Sequence, residues 1–398
     1  MPNCVLAFSG GLDTSYCVLY LRERGYSVTT VSVNTGGFDV AERARIAALS
    51  AQLGATAHHA IDARAELWQD YLRYLLFGNV LRGQLYPLSV SAERVCQAKR
   101  VAQMANELHA DAICHGSTGA GNDQVRFDVA FRALSPQCQL ITPIREHALS
   151  RTHELDVLAK QGIQLPARVH KYSVNEGMWG TSVGGAETHD SWQNLPEEAY
   201  PGGAIDAALS PLSLRIGFDT GVPVSVDGNP LDAVALIEQL NEIGACFGIG
   251  RGIHLGDTIL GIKGRVGFAA PAAHLLIQAH RELEKLVLSG KQLQYKEGVG
   301  SLYGSLLHEG HYFDPLCRDL EHFLHSSQRQ VTGEVRVLLR PHVAEVQGVR
   351  SPNSLMQSKV ASYGEGASAW SGADAAGFCK IYGIAQQLSF STLLPAKH

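Results

Sequence analysis

The chain has 398 residues, 45% hydrophobic and 18% charged, which excludes a disordered chain and exceeds what one ordinary core holds. Its net charge of -5 offers no basic surplus for a nucleic-acid partner, and no run of about 18 apolar residues offers a membrane span. Its eight cysteines include no C-x-x-C pair, which excludes a zinc knuckle or dithiol redox motif and fits a reducing cytoplasm.

Met1-Pro2-Asn3-Cys4 has no basic stretch before an apolar run, so a first strand is expected here, not a signal peptide. Residues 4–8 are apolar and stop at Ser9-Gly10-Gly11, which predicts a buried strand and a tight turn. Residues 14–24 carry helical spacing through Tyr16, Val18, Leu19 and Leu21, with Gly25 as the stop. Residues 28–33 predict a second strand, 40–53 a helix ended by Gly54, and 57–61 a third strand. Residues 66–77 and 91–108 read as helices, 112–114 and 139–142 as short strands, and 150–161 as another helix. This alternation predicts an α/β fold with a doubly wound, mostly parallel sheet. Ligands of such sheets lie beyond the carboxyl ends of the strands, so loops 9–13, 34–37 and 115–123 are expected to converge on one rim.

After about Pro166 the pattern changes. Residues 212–218 and 223–226 flank Asp219-Thr220-Gly221, which predicts a hairpin. Residues 231–246 and 272–288 are helical, and 331–339 alternate with a return strand at 344–349, giving a second, α+β domain. Residues 351–398 are rich in Gly, Ala and Ser, with a late apolar segment at 378–394 suited to packing on another subunit. There is no internal repeat.

Ser9-Gly10-Gly11-Leu12-Asp13-Thr14-Ser15 joins the first strand to the first helix. Glycines admit phosphate close to backbone N–H groups, and the helix start adds its positive dipole end. Ser9, Thr14 and Ser15 add hydroxyl donors. Asp13 repels bare phosphate but is a ligand for Mg2+ bridging to it. The spacing is not that of a Walker A loop. It resembles the S-G-G-x-D-[ST]-S pattern of the PP-loop ATP pyrophosphatases, which implies a grip on the β- and γ-phosphates and cleavage between α and β. A generic glycine turn explains two glycines, not a seven-residue match at a strand–helix junction. Gly248-Ile249-Gly250-Arg251-Gly252 lacks the third spaced glycine of a dinucleotide loop and reads as a turn. His308-Glu309-Gly310-His311 lacks H-E-x-x-H spacing, and His58-His59 and His322/His325 lack a carboxylate or Cys framework. Packing or surface roles are expected for these histidines, with no bound metal beyond the Mg2+ that accompanies ATP.

His115-Gly116-Ser117-Thr118-Gly119-Ala120-Gly121-Asn122-Asp123-Gln124-Val125-Arg126-Phe127 resembles the H-G-x-T-x-K-G-N-D-x-x-R-F signature of the argininosuccinate synthases. Tyr86-Pro87-Leu88, Ser91 and Arg94 resemble that family's Y-P-L-G-T-S-L-A-R segment, and Lys171-Tyr172-Ser173 its K-x-Y-S segment. The resemblance continues through Asn241-Glu242-Ile243-Gly244 and Gly261-Ile262-Lys263 to Ala375-Ala376-Gly377-Phe378, nearly the whole chain. It implies an adenine nucleotide alpha hydrolase-like fold and ATP-dependent ligation of citrulline to L-aspartate in arginine biosynthesis. A citrullyl-adenylate would form first, and AMP and pyrophosphate would leave. It further implies a cytoplasmic homotetramer with no nucleic-acid or membrane partner. The expected domains are a nucleotide-binding domain at 1–165, a synthetase domain at 166–355 and a C-terminal oligomerisation arm at 356–398.

Carried over by position, the resemblance implies ATP binding by Ala7, Phe8, Ser9, Gly10, Gly11, Asp13, Thr14, Ser15, Val33 and Gly116. It implies aspartate binding by Thr118, Asn122 and Asp123, and citrulline binding by Tyr86, Ser91, Asn122, Arg126, Ser173 and Ser182. Arg126 suits a carboxylate, its alternative being a surface salt bridge. Asp123 suits an ammonium group or a helix N-cap.

The chain departs from the family where the amino-acid end of citrulline would be held. Gly256 and Phe268 stand in place of a usual Glu and Tyr, Val90 in place of Thr, Glu93 in place of a small residue and Ala120 in place of the signature Lys. Asn34-Thr35-Gly36-Gly37 replaces an N-x-G-Q-like stretch. Two readings follow: a neighbour such as Asp257 supplies the carboxylate, or the substrate is a citrulline acylated on its α-nitrogen, N-acetyl or N-succinyl. Among other classes, a tRNA-modifying PP-loop enzyme would call for a basic surface and site cysteines. Glutamine-dependent amidation would require an N-terminal nucleophilic Cys, whereas Cys4 begins a strand. A non-catalytic nucleotide sensor would not require Asp13, Asn122, Asp123 and Arg126 together.

Overall fold

The computed structural model describes residues 1–164, 172–357 and 369–393. Lys171, the expected boundary at 165/166 and parts of the expected arm lie outside the described residues.

Strands β1 (Asn3–Ala7), β2 (Ser27–Asn34), β3 (Ala57–Asp62), β4 (Ala112–Cys114) and β5 (Gln139–Ile141) form a parallel sheet in the order β3-β2-β1-β4-β5. Helices cover both faces, so Cys4, Val5 and Leu6 are fully buried whichever way they point. The chain winds outward from β1 to β3, then restarts on the other side at β4. The gap between the ends of β1 and β4 is therefore the switch point where a ligand crevice opens. The expected doubly wound fold is present.

The remaining strands are β6 (Ser173–Asn175), β7 (Thr181–Gly184), β8 (Leu212–Asp219), β9 (Val222–Val226), β10 (Asn229–Pro230), β11 (Arg251–Asp257), β12 (Lys263–Ala269), β13 (Gly333–Arg340) and β14 (Val343–Arg350). They make two antiparallel sheets, β10-β9-β8-β13-β14 and β11-β12-β7-β6. The β8–β9 hairpin is where the sequence places it. Thr220 and Gly221, at φ 46° and 81°, give its turn the left-handed backbone that matches strand twist. Gly248 and Gly250, at φ 66° and 70°, lie in a turn before β11, as expected of the false dinucleotide loop.

Helix Pro271–Val287 starts with proline at its first position and packs Leu275, Leu276 and Leu283 into the core beside β13 and β14. Helix Gly290–Glu309 and the sheet β11-β12-β7-β6 are elements for which the sequence gives no clear periodic signal, and helix Pro315–Ser327 is a further element beyond those expected. In the first helix, Gly300 and Gly304 replace the usual formers because the backbone at Gly78 and the Val80 side chain leave no room for a Cβ. A buried polar cluster joins these parts. Lys296 Nζ lies 2.9 Å from Glu284, which also accepts from Asn79 at 2.7 Å and Gln328 at 2.9 Å. Near the C-terminus, helices Gly372–Tyr382 and Ile384–Ser391 bury no residue and expose Phe378, Ile381, Tyr382, Leu388 and Phe390. No helix among the described residues is long and apolar enough to cross a membrane.

Candidate active site

Ala7 ends β1 and delivers the chain through Phe8 into the loop at Ser9. Gly10 takes φ 69°, where a Cβ would also meet Ile46 at 2.9 Å. Helix Leu12–Glu23 begins at once, two residues earlier than its periodicity suggests, with Gly11 as its N-cap and no side-chain cap. Its first-turn N–H groups are thus left for an acceptor from outside. The three hydroxyls differ in setting, and Thr14 as well as Ser15 donates to the Gly11 carbonyl. Ser15 is buried and donates to the Gly11 carbonyl at 2.7 Å, while Ser9 and Thr14 remain at the mouth, 3.3 Å apart. Gly116, after β4, lies so close that a Cβ would sit 3.2 Å from the Asp13 backbone. Val33 is at the end of neighbouring β2, and Asn34 Oδ1 accepts from Gly36 and Phe38 N–H, shaping the third loop. The three loops converge on one rim, as expected.

Glu154, on helix Arg151–Lys160, was not signalled by the sequence. Burial above all, then the neighbouring Asp13 charge, pushes its carboxyl up to about 7. Burial raises the Asp13 carboxyl too.

The second loop is braced from behind. His115 Nε2 is 2.8 Å from Asp128, which also accepts from Arg145 at 3.1 Å, and Gln124 donates to the Gly119 carbonyl. Thr118 is exposed beyond it. Asn122, not Asp123, is the N-cap of helix Asp123–Leu134, and no side chain caps the helix. This corrects the capping expectation for Asp123, which sits inside the first turn. Its carboxylate receives Arg94 Nε at 2.9 Å and Arg126 Nη1 at 2.9 Å. Burial opposes its charge, yet Arg94 and Arg126 together hold the carboxyl below its usual range. Arg126 is 3% exposed, so it is no surface ion pair.

The sheet β11-β12-β7-β6 closes over this cluster. Gly252, Phe268, Ser182 and Asn175 lie directly opposite one another across its strands and so share a face, with His254 and Gly256 on the same face of β11. Asn175 accepts from Arg94 at 2.7 Å, Trp179 donates to the Pro87 carbonyl at 3.1 Å, and Ile259 N–H donates to Asn122 at 2.8 Å. Tyr86 is buried against Phe268 and His254, and Leu88 is left-handed at φ 59° just before helix Ser89–Glu107, which carries Ser91 and Arg94. That backbone costs about 1–2 kcal/mol, and it sits where the helix turns into the site. Ser173 is exposed at the sheet edge.

His308 is also here, buried. Its Nδ1 is 3.2 Å from both Ser91 Oγ and Arg126 Nη2. Burial first, then Arg126, Arg82 and His254, pushes the imidazole down to about 3. Among the described residues no cluster of three or more His, Cys, Asp and Glu is arranged to hold a metal. Ala120 is exposed on its loop. Asp257 does not fill the space beside Gly256: it pairs with Lys263 at 2.7 Å at the surface. His254 takes that space instead, its Nε2 lying 2.6 Å from where a Gly256 Cβ would project.

Residues 3–164 match the family model described as Arginosuccinate synthase N-terminal HUP domain, and residues 172–389 match the Arginosuccinate synthase C-terminal domain. The argininosuccinate synthase of Xanthomonas axonopodis pv. citri (strain 306) is 40% identical over 394 residues, covering 97% of this chain and 94% of the relative. That of Methanocaldococcus jannaschii is 38% identical over 369 residues, covering 91% of each. That of Dictyoglomus turgidum is 36% identical over 387 residues, covering 96% of each.

Proposed function

Because the chain belongs to the argininosuccinate synthase family, we propose that it uses ATP to ligate a citrulline-type ureido substrate to L-aspartate in arginine biosynthesis. The observation that carries this reading is the meeting of the uncapped loop 9–15, Gly116 and the Arg94–Asp123–Arg126 cluster at one crevice. Gly10 at φ 69° and Gly116 packed against the Asp13 backbone support a loop whose N–H groups phosphate can approach closely. Asp13 would hold Mg2+, which when bound neutralises charge on the phosphates.

A ureido oxygen is a poor nucleophile, so positioning and electrostatics carry the reaction. Tyr86, Ser91, Asn122, Arg126, Ser173 and Ser182 bind the ureido substrate and aim its oxygen at the α-phosphorus of ATP, displacing pyrophosphate. Backbone N–H groups of the loop, with Ser9 and Thr14, stabilise the departing charge. Thr118, Asn122 and Asp123 hold aspartate, whose amine attacks the activated carbon of the citrullyl-adenylate and displaces AMP. With ATP, Mg2+, aspartate and ureido substrate, equal release of AMP and pyrophosphate is expected, both requiring aspartate for turnover. Asp13→Ala is expected to cut that release at least about 100-fold. Release of ADP and phosphate instead would reject the reading.

The organisation proposed is a nucleotide-binding domain at 1–165, a synthetase domain at 166–355 and an oligomerisation arm at 356–398, in a cytoplasmic homotetramer. The apolar side chains exposed on helices Gly372–Tyr382 and Ile384–Ser391 support the arm. A chain ending at residue 357 is expected to lose the tetramer in light scattering. An unchanged mass would reject the arm's role.

A further inference from the structure

The cluster of Tyr86, His254, Phe268 and His308 beside Arg126 has a chemistry that an α-ammonium does not match. Tyr86 and His254 stack with ring centres 5.6 Å apart and planes at 22°, and Phe268 meets Tyr86 at 5.2 Å. A guanidinium only donates, so the 3.2 Å contact from Arg126 Nη2 makes His308 Nδ1 an acceptor and places the proton on Nε2. Ser91 donates to the same Nδ1. His308 Nε2 is buried with no hydrogen-bond partner among the described residues, in a side chain only 6% exposed. A buried donor in that state calls for an acceptor.

Two of the three carboxyls nearby, Asp257 and Asp123, are engaged elsewhere. Asp257 faces outward to Lys263, and its carbonyl accepts from Arg82 at 3.1 Å. Asp123 is clamped between Arg94 and Arg126. Glu93 lies against the Gly177 backbone, both its carboxyl oxygens buried without a hydrogen-bond partner among the described residues, and burial raises its carboxyl well above the usual range. The charges around His308 are cationic: Arg126 and Arg82, with the His254 ring beside them. An ammonium beside His308 would be desolvated and repelled by Arg126 and Arg82.

We propose that this cluster takes a citrulline acylated on its α-nitrogen, the acyl oxygen accepting from His308 Nε2–H and the acyl carbons lying on the Tyr86–His254–Phe268 surface. The proposal rests on the ligase reading above and names its substrate class. Acylation removes the charge and supplies the missing acceptor.

The test is pyrophosphate release by the full chain with ATP, Mg2+ and aspartate, comparing citrulline with N-acetyl- and N-succinylcitrulline. An acylated substrate is expected to exceed citrulline in kcat/KM by about 30-fold or more. Preference for N-succinylcitrulline would assign its distal carboxylate to Arg82, and preference for N-acetylcitrulline would assign a neutral acyl group. Equal or better turnover of citrulline overturns the proposal and leaves the ligase standing. Turnover of none overturns both. His308→Phe is expected to raise KM for the acylated substrate about 10-fold with little change in KM for ATP. Should that variant misfold, His254→Ala with Gly256→Glu places a carboxylate beside the pocket and is expected to move preference toward citrulline; no movement overturns the proposal.

Discussion

Replacing Asp123 by alanine is expected to abolish ligation and to lower stability by about 3 kcal/mol, because it strips the shared anion from two guanidiniums already removed from water. Arg126 is 3% and Arg94 16% exposed at the side chain, and each places a nitrogen 2.9 Å from a different Asp123 oxygen. Without the carboxylate, two like charges face each other, and the groups on the His308 side, Arg82 and His254, supply no negative charge in its place. Asp123→Asn keeps the shape and one acceptor oxygen, so it is expected to recover much of the stability while activity stays at least about 100-fold down. Urea unfolding read beside aspartate-dependent pyrophosphate release separates the two effects. Wild-type stability in Asp123→Ala would mean that the cluster is solvated and that its charges do not depend on one another.

The second large effect is expected at Gly177. A Cβ there would fall inside the buried Glu93 carboxyl, which has nowhere to turn. Gly177→Ala is therefore expected to cost about 2–3 kcal/mol, the ordinary penalty of overfilling a tight site. The chain from Gly177 to Gly180 also carries Met178, whose N–H donates to the Thr35 carbonyl at 2.9 Å, and Trp179, bonded to Pro87. Any shift of Gly177 is passed to the loop after β2 and to the segment holding Tyr86. In a Glu93→Ala background the same substitution is expected to cost little, because the obstructing carboxyl is gone. A double-mutant cycle by chemical denaturation would then give a coupling of roughly 2 kcal/mol. Additive costs would mean that Glu93 and Gly177 do not share space.

The parallel sheet was legible because its strands are buried on both faces and read as apolar runs bounded by glycine turns, as in residues 4–8 before Ser9-Gly10-Gly11. The sheet β11-β12-β7-β6 was not. Arg251-Gly252-Ile253-His254-Leu255-Gly256-Asp257 places glycine where a strand usually shows an apolar or β-branched residue, since Phe268 covers Gly252 and His254 covers Gly256. Helix Gly290–Glu309 was hidden for a related reason: its glycines serve close approach to Gly78 and Val80, and local propensity counts them as breakers.

Motif spacing within loops 9–15 and 115–127 was enough to point to the family, because those residues lie within a few positions of one another. Sequence also located the departures at Gly256 and Phe268. It left open whether Asp257 compensates, and only the fold answers that, by directing Asp257 to Lys263 and His254 toward Tyr86. His308 is 182 positions from Arg126 and 217 from Ser91, and Glu154 faces Asp13 from a separate helix. No local pattern marks such partners. Burial, charge and an unpaired N–H arise only when distant segments close on one another, and that tertiary closure decided the character of the pocket.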